Sequence, residues 1–87
     1  MKLPIIKNIV SDRSIYEDDI DTVVKILEII GMSRGLSMKE LDVIGELLSN
    51  LQGAKIVMDK HRHYGIPLKD ALNEFMKRVI NSTKYSL

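Results

Sequence analysis

The sequence predicts an all-α fold, a small four-helix domain with one long central helix that pairs into a helical homodimer. Its β-branched residues recur at helical rather than alternating spacing, and aromatic residues make up only 5% of the chain, so strand signatures are missing. Proline and glycine punctuate sparingly, at Pro4 and Pro67 and at glycines 31, 35, 45, 53 and 65, and no ten-residue stretch reads as linker, repeat or low complexity. Residues 1–87 therefore form a single domain, with helices expected at about 3–10, 15–31, 38–64 and 67–81.

The first helix is short. Pro4 suits its opening turn, where a missing N–H costs nothing, and Ile5, Ile6, Ile9 and Val10 must dock, because so few residues cannot hold a helix alone. The second opens at Ser14, where Ser14-Ile15-Tyr16-Glu17 matches a capping box, and ends near Gly31 or Gly35. Ser37-Met38-Lys39-Glu40 is a second capping box, flanked by Leu36 and Leu41 at the positions of a hydrophobic staple. From Met38 to Tyr64 nothing interrupts the helical pattern until Gly65, unless Gly53 divides it, which gives a helix of about 40 Å at 1.5 Å per residue. Gly65-Ile66-Pro67 closes that helix and opens the fourth, which runs to about Asn81 and leaves Ser82 to Leu87 as a frayed tail.

Three of these helices are apolar over wide faces. On the third, Leu41, Val43, Ile44, Leu47, Leu48, Leu51, Ala54, Val57 and Met58 span an arc of about 200°, twice the width that a surface helix needs. A compact chain of this length is roughly 30 Å across, shorter than the third helix. Part of the helix must project or find a partner, and a second copy of the chain is the expected one, with an unidentified protein as the other. Val43, Leu47, Ala54 and Val57, on the edge of the arc beyond the second and fourth helices, are the expected interface. The small residues Gly45, Ser49 and Gly53, one turn apart, form a strip along which another helix could approach.

The composition excludes much chemistry. With no cysteine, disulfides, thiol catalysis and cysteine metal sites are ruled out, and the serines fall mostly at caps, loops and the tail. No phosphate loop, nucleotide fingerprint or calcium-loop spacing is present. His61 and His63, two residues apart, diverge around a helix. Asp59 and His63 have the i, i+4 spacing of two zinc ligands but lack a third, and Glu17, Asp18, Asp19 and Asp21 read as acids favoured at a helix N-terminus. The small dimeric helical chorismate mutases share this length, but their dicarboxylate clamp needs an arginine on the early long helix, where only Lys25 stands. The chain is thus expected to have no catalytic, cofactor or metal residues and to need no cofactor.

Charge is polarised, with six cations and nine anions over residues 1–54 (net −3) against seven and three over 55–87 (net +4). Lys55, Lys60, Arg62, Lys77, Arg78 and Lys84 are therefore the candidate contacts for a nucleic acid or an acidic partner. A helix-turn-helix reading fails, because the helix after the turn opens with Glu40 and Asp42 where it would meet phosphate. No apolar run approaches a membrane span and the start lacks a signal-peptide cleavage site, so a cytoplasmic, membrane-free location is expected. The functional expectation is a non-enzymatic interaction or assembly module, acting as a homo-oligomer or bound subunit. The alternative is an accessory protein that binds RNA or DNA through the basic half.

Met1-Lys2-Leu3-Pro4-Ile5-Ile6, the block from Glu40 to Asn50 with Gly53-Ala54, and the stretch from Asp70 through Val79 together resemble an uncharacterised family of short all-helical proteins of Bacteroidota and their phages. The resemblance implies the helical architecture and carries over no catalytic residue. It implies a location in the cytoplasm or, for a phage-encoded copy, in a phage particle or host cell.

Overall fold

The structure, a computed structural model, describes residues 3–85, with side chains through Ile80. It consists of helices α1 (Leu3–Ser11), α2 (Glu17–Gly31), α3 (Met38–His63) and α4 (Leu68–Tyr85), with no strand among the described residues. α3 is the axis: α1, α2 and α4 all pack on it, α1 also touches α4, and among the described residues α2 and α4 do not meet.

Local chemistry sets the helix ends. The Ser37 hydroxyl accepts from Glu40 N–H at 3.2 Å while the Glu40 carboxylate accepts from Ser37 N–H at 2.9 Å, so the expected capping box forms. The Ser37 amide and then its hydroxyl hold the Glu40 carboxyl below its usual range. The box expected at Ser14 does not form. Both the amide and the hydroxyl of Ser14 donate to Asp12 Oδ1, at 2.9 and 2.6 Å, and α2 instead starts after Tyr16, whose N–H donates to Asp19 Oδ2 at 2.8 Å. Asp12, two residues before Ser14, offers a local turn that outcompetes the cap.

α3 runs unbroken through Gly53 for 26 residues. Gly65, at φ 71°, turns the chain after it, with Ile66 N–H donating to Lys60 O at 3.2 Å. The ring Nδ1 of His61 lies 2.7 Å from Ile66 O, and since a carbonyl only accepts, Nδ1 carries the proton. α4 continues past Asn81 to Tyr85 where a tail was expected, because no glycine or proline intervenes to stop it.

The core lies at one end of the molecule. Ile6 and Val10 of α1, Ile20 of α2, Ala54, Val57 and Met58 of α3, and Ala71 and Phe75 of α4 are buried together. Toward the other end, α2 has no buried residue after Ile20 and α3 none before Asn50. The paired outer halves of α2 and α3 form an arm, which gives the molecule extents of 43 × 37 × 17 Å and a radius of gyration of 14.1 Å, against about 12 Å for a compact chain of this length.

Candidate functional site

The arm presents apolar side chains to solvent. Val23, Ile26, Ile29 and Ile30 of α2, Met32 of the turn and Met38, Val43 and Leu47 of α3 are exposed, whereas Leu27, Leu41, Ile44 and Leu48 are half-buried. Ile30, Leu36, Val43 and Ile44, edged by Lys39 and Glu40, line an open groove of about 380 Å³ near the tip.

The wide apolar arc of α3 thus resolves into two faces. One lies against α2: Ile44 Cγ2 would be 3.7 Å from a Cβ added at Gly31, and Leu51 shares a depression with Ile20 and Val23. The second carries Val43, Leu47, Asn50, Ala54 and Val57 at spacings of three and four residues. Only its C-terminal half, from Asn50 on, is buried. Val43 and Leu47 are 58% and 42% exposed, while Ala54 and Val57 are at 0%. The expectation that all four line an external interface is therefore corrected at Ala54 and Val57, which are buried in the core cluster with residues of α1, α2 and α4 of the same chain.

The small-residue strip divides in the same way. Gly53 is buried, Ser49 is exposed, and a Cβ at Gly45 would meet nothing within 4 Å. Among the described residues of the chain, no other helix lies within 4 Å of that position.

The basic candidates also separate. Arg62 points inward, its Nη1 donating to Ile15 O at 2.6 Å and its Nη2 to Val10 O at 3.0 Å and Asp12 O at 3.1 Å, so its fork neutralises the C-terminal carbonyls of α1 and pins the following turn. The expected role of Arg62 as a contact for an external partner is corrected accordingly. Ser14's two hydrogen bonds, and secondarily this guanidinium, hold Asp12 below the ordinary carboxylate range. Lys55 Nζ sits 2.7 Å from Asp21 Oδ1; that hydrogen bond, followed by the charge of Asp21 and then those of Glu17 and Asp18, raises the lysine. Lys60 lies over the Tyr64 ring, 5.5 Å from its centroid. Lys77 and Arg78 are exposed on α4, and the side chain of Lys84 lies outside those described.

Two of these assignments could not be read from residue spacing. Arg62 meets carbonyls 47 to 52 residues away, and the approach of His63 Nε2 to within 3.2 Å of Glu17 Oε1 joins opposite ends of two helices.

No described helix is long and apolar enough to cross a membrane. Comparison with curated proteins and with solved structures gave no match. One family model, a family of unknown function designated DUF6952, matches residues 1–84. An all-helical chain with an uncovered arm and a basic set partly committed to internal contacts is therefore a member of the DUF6952 family.

Proposed function

We propose that this protein is a small non-enzymatic assembly module that works as a homo-oligomer, a second copy covering the open half of the α3 face. The observation that carries the reading is the change in exposure along one helix face, from Ala54 and Val57 at 0% to Leu47 at 42% and Val43 at 58%. Exposed large apolar residues on both helices of the arm, in a chain this small, favour association by a non-directional force of ~25 cal/mol per Å² buried. Two-fold pairing would duplicate each contact and reach several kcal/mol per subunit. A hetero-partner on the same face would make the chain a bound subunit, which is an outcome of the same test.

The chain has no cysteine, which allows a direct experiment. Leu47→Cys should cross-link copies of the chain under mild oxidation, and Lys69→Cys, on exposed α4 surface, should not. Equal cross-linking at Leu47→Cys and Lys69→Cys, or none at any of Val43→Cys, Leu47→Cys and Glu46→Cys in turn, would refute pairing through this face.

Nucleic-acid binding is the second reading, favoured by the exposed neighbours Lys77 and Arg78. It calls for a salt-dependent mobility shift with generic RNA or DNA that weakens when both are changed to Glu. Absence of any shift in low salt would dismiss it.

A further inference from the structure

The register between α2 and α3 places like charges together. These helices are antiparallel, and Asp21 of α2 meets Lys55 of α3 at 2.7 Å. One turn toward the start of α2 stands Glu17; one turn along α3 stands Asp59, an anion facing an anion. His63, the next turn of α3, brings Nε2 to 3.2 Å from Glu17 Oε1. The three side chains offer ligand atoms that all lie within 4.8 Å of one another. Glu17 Oε1 is sealed from solvent and makes no hydrogen bond despite its nearness to the imidazole. A carboxylate oxygen in that position is costly to bury unless a cation meets it.

We propose that Glu17, Asp59 and His63 bind a divalent transition-metal ion of the zinc class. Asp59 and His63 supply the i, i+4 pair on one helix face, and the fold delivers from α2 the third ligand that this pair needs. The separation of Nε2 and Oε1, 3.2 Å, is close to the edge of a tetrahedral zinc site, about 3.3 Å for bonds of 2.0–2.1 Å. None of the three side chains is fully buried, which leaves them free to turn toward an ion. One imidazole nitrogen and two carboxylate oxygens, without thiolate, suit zinc and its first-row neighbours better than copper(I) or an iron–sulfur cluster. Glu17 and His63 also line an open depression of about 370 Å³, with Tyr16, Asp18, Met58 and Arg62, which leaves room for water beside the ion. The ion would clamp the start of α2 to the last turn of α3, in a chain without disulfides. His61 takes no part, because its ring is held by Ile66 O.

The test is titration of the untagged, EDTA-dialysed chain with Zn²⁺ by calorimetry, and with Co²⁺ by visible absorption. One ion per chain should bind. Asp59→Asn and His63→Gln should each weaken binding at least tenfold, and His61→Gln should leave it unchanged. Metal-free Asp59→Asn, relieved of the facing anion, should melt no lower than metal-free wild type, and zinc should raise the melting temperatures of wild type and His61→Gln more than that of Asp59→Asn. No one-to-one binding by wild type, binding that survives Asp59→Asn undiminished, or binding lost in a folded His61→Gln would each overturn the site.

Discussion

Leu47 and Ala54 occupy the same face of α3, a heptad apart and within ~20° of each other around the axis, yet Leu47 is 42% exposed and Ala54 is completely buried. The core accounts for the difference: Ala54 belongs to the buried cluster that α1, α2 and α4 build on α3, and Leu47 lies outside it. The two positions should respond oppositely to a charge. Leu47→Glu should keep the monomer helical and cooperative, as its circular-dichroism melt will show, while abolishing self-association. Ala54→Glu should unfold the chain, since its carboxylate would be buried without a partner.

Truncation in the core separates folding from association in a second way. Met58 is fully buried, and Met58→Ala should cost about 2–5 kcal/mol in urea unfolding. Val43→Ala, on the open stretch of the same helix, should leave the unfolding of the dilute monomer within about 0.5 kcal/mol of wild type.

Much of this was legible in the sequence. Helix number, the Ser37 cap, the stop at Gly65 and the broad apolar arc follow from periodicity and capping chemistry, which are local. Which part of the arc is covered is not local. It depends on where α1 and α4 land, and Val43 and Val57 look alike to any periodicity argument. The Ser14 cap does not form because Asp12, two residues away, takes the amide that Glu17 would accept and draws the hydroxyl toward itself. Arg62 and His63 read as the basic end of a helix because their partners, Val10 to Ile15 and Glu17, are brought near only by packing.

Arg62 should therefore behave as a structural residue. Arg62→Ala leaves the carbonyls of Val10, Asp12 and Ile15 without these donors, and should cost about 1–3 kcal/mol in chemical denaturation. Arg62→Lys should recover only part of this, since an ammonium cannot present the same planar fork. A fully stable Arg62→Ala protein would contradict the assignment.

Stability should fall at both extremes of pH. Asp12 and Glu40 have lowered folded-state pKa values, so their contribution is present above the unfolded value and lost as pH falls through the folded one, below the ordinary carboxylate range. Lys55 is raised; its contribution is present below its unfolded value and lost as pH rises through the folded one. Melting temperature against pH should show both losses. Glu40→Gln should flatten the acid limb and Lys55→Met the alkaline one, and high salt should diminish the alkaline loss, because these groups are exposed.

Gly45 is a mid-helix glycine with open space around it. Gly45→Ala should stabilise the monomer by about 1 kcal/mol, because the added methyl group meets nothing within 4 Å. Urea unfolding at submicromolar concentration measures this without interference from association.

Sedimentation equilibrium of the unmodified protein, from submicromolar to tens of micromolar, tests the central claim most directly. An uncovered α3 face predicts a mass that rises with concentration from 9.9 kDa to twice that value, and a folded Leu47→Glu protein that stays at the lower mass throughout. A single 9.9 kDa species at every concentration, with Leu47→Glu indistinguishable from it, would contradict pairing through Val43 and Leu47.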